Sequence, residues 1–131
     1  MNILLDTQIW LWSFLEKERI GKRLTALLED PENQLWLSPV SAWEAMVLFQ
    51  RGKIEIASDP ADWIRRALAK GFVTEAALSH EIAVRSRLIE LPHQDPAGRF
   101  IAATALVHGF ALATSDKQLL RCRAIQTLPN R

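Results

Sequence analysis

Four acidic residues of this chain are placed where they could form one site, although they are far apart in sequence. They are Asp6, Glu44, Asp95 and Asp116. Carboxylates held a few ångströms apart repel one another, so some of them have raised pKa values. A divalent cation relieves that repulsion, and oxygen ligands without cysteine or histidine favour Mg²⁺ or Mn²⁺. Because such an ion can activate water and stabilise charge on a phosphate, the set predicts metal-dependent hydrolysis of phosphodiester bonds.

Three of these acids also have a purely structural interpretation. Glu44 would close a Ser-x-x-Glu capping box with Ser41. Asp95 stands directly before a proline and would cap the helix that follows. Asp116 would cap the next short helix or interact with its positive end. A capping role is compatible with a role in catalysis, so both interpretations stay open.

Asp6 is the acid that is hardest to explain by structure alone. A carboxylate directly after a buried strand is costly unless something stabilises it, and the helix N-terminus at Thr7 is a local candidate. Other chemistries lack their motifs, since no glycine-rich phosphate loop follows a strand and no Gly-x-Ser-x-Gly elbow is present. The three histidines do not have metal-ligand spacing, although His93 is close to Asp95 in sequence.

The elements that must position these acids alternate along the chain. Short apolar strands alternating with helices indicate a mostly parallel sheet covered on both faces, a three-layer α/β/α sandwich in a single domain, residues 1–131. The functional crevice of such a sheet lies outside the carboxyl ends of its strands, where we expect the acids to meet. The predicted strands are residues 2–5, 34–38, 111–114 and 124–128, with a short extended segment at 72–76. The predicted helices are residues 7–18, 22–29, 41–51, 60–71, 79–90, 96–108 and 116–121.

Composition restricts the class of protein to which the chain can belong. Its 131 residues suffice for one domain, and 49% hydrophobic with 24% charged residues are typical of a globular protein rather than a disordered one. A net charge of +1 gives no overall field for nucleic acid or membrane. The single cysteine, Cys122, excludes an internal disulfide, and the N-terminus lacks the pattern of a signal peptide. We therefore expect a cytoplasmic protein with no membrane partner.

Four segments of the chain resemble the motifs of one known family. They are LLDTQIWLW at residues 4–12, LSPVSAWEAMVL at 37–48, LPHQDPAGRFIAATAL at 91–106 and LATSD at 112–116. In this order and spacing they are similar to the PIN-domain ribonucleases, and more narrowly to the VapC-type toxins of type II toxin–antitoxin pairs. The resemblance implies a PIN-like sandwich, a Mg²⁺-dependent endoribonuclease acting on RNA, and a homodimer. It also implies inhibition by a cognate antitoxin. The protein would then contact DNA only indirectly, through that antitoxin.

By position, the resemblance assigns Asp6, Glu44 and Asp116 to the metal site and places Asp95 among the catalytic residues. Related sequences carry a further acid in a D-P-x-D-R motif before the long helix. In this chain that motif reads D-P-A-G-R, so Gly98 stands at the position of the expected ligand. The resemblance therefore implies a metal site with one carboxylate missing.

Gly98 is not a residue that helix formation favours. Glycine in a helix interior costs about 1 kcal/mol relative to alanine, and an acid near a helix N-terminus contributes about 0.3–1 kcal/mol. The segment Asp-Pro-Ala-Asp at residues 59–62 has the ordinary acidic form at another helix start. We interpret Gly98 as the loss of a metal ligand, which predicts a weakened or inactive nuclease. The alternatives are a variant in which Asp95 or water replaces the ligand, and a non-catalytic PIN-like module acting in an antitoxin/operator complex.

Several polar residues are candidates for substrate binding. Arg99 follows the missing acid and could pair with a site carboxylate or a phosphate. Thr7 and Ser115 flank site acids and could orient them or bind water, although capping explains them equally well. A local RNA-binding rim is a further possibility, with ordinary solvated charge as the alternative for each member. Its candidates are Lys117, Arg121, Arg123, Arg85 and Arg87.

The first helices carry more large apolar side chains than a core of this size easily encloses. Contiguous exposed apolar surface usually marks a partner site. We therefore predict a groove that receives a helix or an extended tail of the antitoxin, with ordinary core packing as the alternative. Its candidate residues are Trp10, Trp12, Trp43 and Phe49.

Overall fold

A computed structural model describes residues 1–92 and 94–131, and in these residues seven α-helices surround a five-stranded sheet. His93, which the sequence places near the candidate site, lies outside the described residues. The strands are β1 (Asn2–Leu5), β2 (Gln34–Leu37), β3 (Thr74–Glu75), β4 (Ala111–Thr114) and β5 (Thr127–Pro129). The helices are α1 (Thr7–Leu15), α2 (Lys22–Glu29), α3 (Pro39–Gln50), α4 (Pro60–Ala69), α5 (His80–Leu88), α6 (Pro96–His108) and α7 (Lys117–Leu120).

The strands of the sheet all run parallel, in the order β3-β2-β1-β4-β5. The central strand is β1, in which Ile3 aligns with Leu35 of β2 on one side and with Ala111 of β4 on the other. Strands are added outwards from β1 in both directions, so the order reverses between β1 and β4. Ligands of parallel sheets bind in the crevice at such a reversal, outside the carboxyl ends of the strands.

Two apolar cores, one on each face of the sheet, hold the helices in place. Neighbouring residues of a strand point to opposite faces, so Ile3 and Leu5 pack in the first core and Leu4 packs in the second. The first core contains buried residues of α1 to α4, whereas the second contains those of α6 and α7 and of the segment that follows α5. This arrangement confirms the predicted three-layer α/β/α sandwich.

The start of α3 differs from the sequence prediction for a local reason. The helix begins at Pro39, since Ser38 is its N-cap and accepts a hydrogen bond from the Val40 amide at 3.1 Å. Proline is favoured at the first helical position because its missing N–H would be unpaired there in any case. Ser41 is therefore inside the helix, and the predicted capping box of Ser41 with Glu44 is wrong.

The other differences shorten elements at their ends. α1 stops at Leu15 and a 3₁₀ helix, Lys17–Arg19, follows it, where the sequence predicts one helix to residue 18. The extended segment 72–76 is reduced to the two residues of β3, and β5 begins at residue 127 rather than 124. Within residues 1–92 and 94–131, no helix has the length and apolar character needed to cross a bilayer.

Candidate active site

The carboxyl edge of the sheet brings the four predicted acids into one neighbourhood. Asp6 follows β1 and Asp116 follows the adjacent strand β4, while Glu44 lies on α3 and Asp95 begins α6. Burial is the main cause that raises the pKa of Asp6, and the charges of Asp116 and Asp95 raise it further. Burial also raises the pKa of Glu44, to which the charges of Asp6 and Asp95 add. The acids therefore act on one another, as the sequence led us to expect.

Asp6 is fixed in position at the end of β1. Its amide donates to the Ala113 carbonyl oxygen at 2.9 Å, which continues the contact between β1 and β4. Its Oδ1 accepts from the Thr7 amide at 2.9 Å, and its Oδ2 accepts from the Thr114 hydroxyl at 2.6 Å. Burial raises the pKa of Asp6 above its usual range even though both hydrogen bonds lower it. Asp6 is thus the N-cap of α1 and also the central carboxylate of the site.

Thr114 connects two of the acids, and sequence reasoning missed it. Its side chain is fully buried. The hydroxyl donates to Asp6 Oδ2 at 2.6 Å and accepts from the Asp116 amide at 3.0 Å. A β-branched residue at the end of a buried strand is ordinary, and only its place two residues before Asp116 could have indicated the role. The neighbouring Ser115, which was a candidate for substrate binding, is exposed beside the site.

Thr7 positions the acids from inside the protein. It is 1% exposed, so it is not available to bind substrate as the sequence suggested. Its Oγ1 lies 2.9 Å from Ser41 Oγ in a hydrogen bond, which joins α1 to α3. Burial raises the pKa of Glu44, and the nearby Thr7 hydroxyl opposes that shift. Thr7 therefore couples the helix that carries Glu44 to the strand end that carries Asp6.

Asp95 and Asp116 each cap a helix, as predicted. Asp95 Oδ2 accepts from the Gly98 amide at 3.3 Å, and Asp116 Oδ1 accepts from the amides of Gln118 at 2.8 Å and Leu119 at 3.3 Å. Within residues 1–92 and 94–131, no group of three acidic, histidine or cysteine side chains is arranged to hold a metal ion. The acids lie at one edge of the sheet, but their side chains do not converge on a single point.

Arg99 is a structural residue, and the prediction that it binds substrate is wrong. It is 5% exposed, and its guanidinium donates to backbone carbonyl oxygens at and after the end of α5. The last carbonyls of a helix lack intrahelical partners and favour a positive charge nearby. Arg99 thereby ties the start of α6, and with it Asp95, to the end of α5. The acceptors are Ser86 and Ile89 at 2.7 Å, Leu91 at 3.2 Å and Arg87 at 3.4 Å.

Gly98 lies in the first turn of α6 and is buried. Among the described residues, the glycines with positive φ are Gly52, Gly71 and Gly109. Gly98 therefore has a backbone conformation that any residue except proline can adopt. The backbone therefore gives no reason for glycine at this position.

Of the aromatic residues predicted to bind an antitoxin, some are buried in the core and others lie at the surface. Trp10 is 1% exposed and Phe49 8% exposed, and both rings contact Trp63 edge to face in the first core. Phe49 therefore belongs to the core, and its assignment to a surface groove is wrong, whereas Trp10 is almost fully buried but also lines the groove described below. Trp12 is partly buried, and Trp43 is 58% exposed. The error arose because α1 and α3 are apolar on every side, so periodicity cannot show which residues face inwards.

A groove of 770 Å³ nevertheless lies beside the first core, between α1, α2 and residues 70–74. Phe14 and Phe72 line it with ring centroids 6.2 Å apart, and Phe72 is 66% exposed. Lys17 and Lys70 are also lining residues. The lining therefore combines apolar side chains with two lysines and two acids, Glu29 and Asp30, and of the four predicted residues it contains Trp10.

Comparison with known proteins identifies relatives over almost the whole chain. The family model described as PIN domain matches residues 3–124, a range that contains all four acids. Ribonuclease VapC22 of Mycobacterium tuberculosis is 28% identical over 121 residues, which cover 90% of this chain and 89% of that protein.

Solved structures share the fold at lower identity. A chain of DNA-bound VapBC from Salmonella typhimurium aligns with a TM-score of 0.74 at 13% identity, over 100% of this chain and 99% of that one. A chain of a toxin–antitoxin complex from Klebsiella pneumoniae aligns with a TM-score of 0.65 at 24% identity, over 98% of both. At these identities, the likeness shows a common fold.

Proposed function

The chain belongs to the PIN domain family, and from that premise we propose that it is a VapC-type toxin that cleaves RNA as a Mg²⁺- or Mn²⁺-dependent endoribonuclease. The observation that carries the proposal is the gathering of Asp6, Glu44, Asp95 and Asp116 at the carboxyl ends of β1 and β4. Similarity to a protein named ribonuclease supports RNA as the substrate.

The donor atoms at this edge fit a hard divalent cation. They are carboxylate oxygens, and burial together with mutual repulsion raises the pKa of Asp6 and of Glu44. A positive charge beside them would favour their ionised forms. Mg²⁺ keeps several waters and usually binds through one or two carboxylates together with substrate phosphates, so it does not need three converging side chains. Asp6 and Glu44 would hold it, with Asp95 and Asp116 nearby.

When bound, such an ion supplies an activated water and stabilises negative charge on the phosphate. The chain's own contribution is to fix the ligands before the substrate arrives. A carboxylate oxygen has two lone pairs, so the hydrogen bonds from Thr7 and Thr114 orient Asp6 without using all of its acceptor capacity. Ligands that are already oriented need no rearrangement during the reaction.

We further propose that Gly98 weakens this site. The helical backbone at residue 98 permits an aspartate, and an acid in the first turn of a helix contributes about 0.3–1 kcal/mol, which glycine does not. The missing carboxylate would therefore reduce metal affinity and the rate of hydrolysis while leaving the fold intact. The same observation favours a second candidate, a non-catalytic PIN-like module that acts only in an antitoxin/operator complex.

RNA cleavage with Mg²⁺ by four proteins separates these possibilities: wild type, Gly98→Asp, Gly98→Ala and Asp6→Asn. We expect Gly98→Asp to cleave at least tenfold faster than wild type, Gly98→Ala to match wild type, and Asp6→Asn to be inactive. Equal rates for wild type and Gly98→Asp, both active, would contradict our interpretation of position 98. No cleavage by any of the folded proteins would contradict the nuclease and support the binding module.

We propose that the groove lined by Phe14 and Phe72 receives an apolar segment of the cognate antitoxin. The structural neighbours from VapBC complexes support such a partner. Phe72→Ser should weaken antitoxin binding at least tenfold, whereas Val84→Ser, at a 55% exposed position of α5, should not. Equal affinities of the two variants would exclude the groove. A homodimer, and contact with DNA only through the antitoxin, stay predictions from the family resemblance.

A further inference from the structure

A basic cleft of 440 Å³ lies between the end of α5, α6 and the segment after α7. None of the four acids is among its lining residues. Three arginines face a single glutamate, although the whole chain has a net charge of only +1. The lining therefore combines concentrated positive charge with an apolar floor. Its residues are Arg85, Arg121, Arg123, Glu90, Leu88, Ile89, Leu106 and Ala124.

The arginines of this cleft are available to an anionic ligand. Arg121 and Arg123 are exposed, and within residues 1–92 and 94–131 no carboxylate lies at ion-pair distance from either. Arg85 pairs with Glu81 at 2.8 Å, but both side chains are about half exposed, and such surface pairs contribute little. A guanidinium binds phosphate oxygens through two parallel hydrogen bonds, which suits this residue type to a nucleic-acid backbone.

The floor of the cleft suits a nucleotide rather than a bare anion. Leu88 is 69% exposed and lines the cleft with other apolar side chains. Bases and riboses have apolar faces that pack against such surface, while the phosphates remain at the charged rim. A free inorganic anion would leave this apolar surface unused.

The segment that carries two of the arginines is firmly attached to the fold. Cys122, between them, is 6% exposed, and its Sγ lies 4.0 Å from the Glu90 carbonyl oxygen. The same segment leads back to the acids, because α7 begins directly after Asp116. Arg121 directly follows the last residue of α7, which at a helical rise of about 1.5 Å per residue places it about 7 Å from Asp116 along the helix axis. An RNA strand at the acids would reach the cleft within a few nucleotides.

We infer that this cleft is a second contact surface for RNA, in which Arg85, Arg121 and Arg123 bind phosphates of the strand that the acids would cleave. The inference rests on the proposed nuclease function and adds a binding surface for the same substrate. It also explains how a chain of nearly neutral total charge can bind a polyanion.

The test is RNA binding measured without cleavage. The probe is a fluorescein-labelled single-stranded RNA oligonucleotide in EDTA, followed by anisotropy over a range of salt concentrations. The double variant Arg121→Ser/Arg123→Ser should raise Kd at least tenfold. The slope of log Kd against log salt should fall by about 1.4, since each phosphate contact on a single strand contributes about 0.7. Arg65→Ser is the control, because it removes an exposed arginine of α4 that lies outside the cleft and outside the predicted RNA-binding rim.

Unchanged RNA affinity in the double variant, or an equal loss in Arg65→Ser, would overturn the inference. Loss of antitoxin binding with RNA binding intact would also overturn it, because the cleft would then be a protein site. Arg121→Ser/Arg123→Ser should keep the thermal midpoint of the wild type, which excludes a folding defect, and Arg121→Lys/Arg123→Lys should keep most of the RNA affinity. Because no cleavage is measured, this test can fail or succeed independently of the nuclease assay.

Discussion

Replacing Arg99 by methionine should remove a large share of the stability of the protein without acting on RNA directly. Arg99 is 5% exposed, and among the described residues its guanidinium donates to the carbonyl oxygens of Ser86, Arg87, Ile89 and Leu91, two of them at 2.7 Å. Methionine keeps much of the apolar stem but has no donor. The substitution therefore leaves buried acceptors at the end of α5 without this partner and frees the start of α6.

The magnitude follows from those hydrogen bonds. A hydrogen bond to a charged group contributes about 1.5–3 kcal/mol, so the two short ones alone account for about 3–6 kcal/mol. Part of this is recovered because a buried charge is also removed. We expect a loss of about 3–5 kcal/mol in the free energy of unfolding, which is a large part of the usual stability of a domain.

Urea denaturation followed by tryptophan fluorescence measures this loss, with Arg87→Met as the control. Arg87 is exposed, and only its backbone carbonyl accepts from Arg99, so the control should lie within about 0.5 kcal/mol of wild type. A loss below about 1 kcal/mol in Arg99→Met, accompanied by weaker RNA binding, would refute the structural role and restore Arg99 as a substrate ligand.

Three further predictions concern the site and the C-terminus. Thr114→Val removes the 2.6 Å hydrogen bond to Asp6 and should lower kcat of the Gly98→Asp enzyme at least tenfold, with Thr114→Ser restoring most of it. Burial raises the pKa of Asp6 and of Glu44 in the folded protein. Their protonation therefore stabilises the folded state fully below the ordinary carboxyl pKa of about 4. This stabilisation is lost as pH rises through the raised pKa values of the folded protein. In metal-free protein, the free energy of unfolding in urea should therefore fall more steeply with rising pH in wild type than in Asp6→Asn. Equal slopes of unfolding free energy against pH in the two proteins would contradict this. Gly21→Ala would place a methyl group against the backbone of Arg131 and should lower the free energy of unfolding by about 1–3 kcal/mol, measured by thermal unfolding. In a protein that lacks residues 130–131, the same substitution should not lower it.

Strong local signals made several elements predictable. The boundaries of α6 follow from Asp95 and Pro96 at its start and from Gly109, at φ 69°, after its end. The apolar runs of β1 and β4 are short and continuous because parallel strands are buried on both faces. The gathering of the acids followed from the same rule, since the carboxyl ends of parallel strands lie at one edge of the sheet.

The errors concern choices that local sequence does not decide. Arg99 binds carbonyl oxygens contributed by a different helix end, and backbone acceptors leave no trace in residue types. Trp10 and Phe49 lie on helices that are apolar on all sides, so their inward direction depends on packing. The start of α3 was an avoidable error, because the pair Ser38-Pro39 is itself a good N-cap and first-turn signal.

Thr114 shows a different reason for a missed site residue. Its threonine side chain suits a buried strand, and its hydroxyl acquires a role only because β1 and β4 are neighbours. That adjacency depends on the order of strands in the sheet, which local patterns do not give. The residue becomes recognisable only when the partners of each buried hydroxyl are known.

The central claim is that distant carboxylates share one edge of the sheet and together bind a divalent cation. Calorimetric titration of Mn²⁺ into wild type, Asp6→Asn and Gly98→Asp tests it most directly. We predict one saturable site in wild type, at least tenfold weaker binding in Asp6→Asn and tighter binding in Gly98→Asp. Binding that is unchanged in Asp6→Asn, or no saturable binding in either wild type or Gly98→Asp, would contradict the claim.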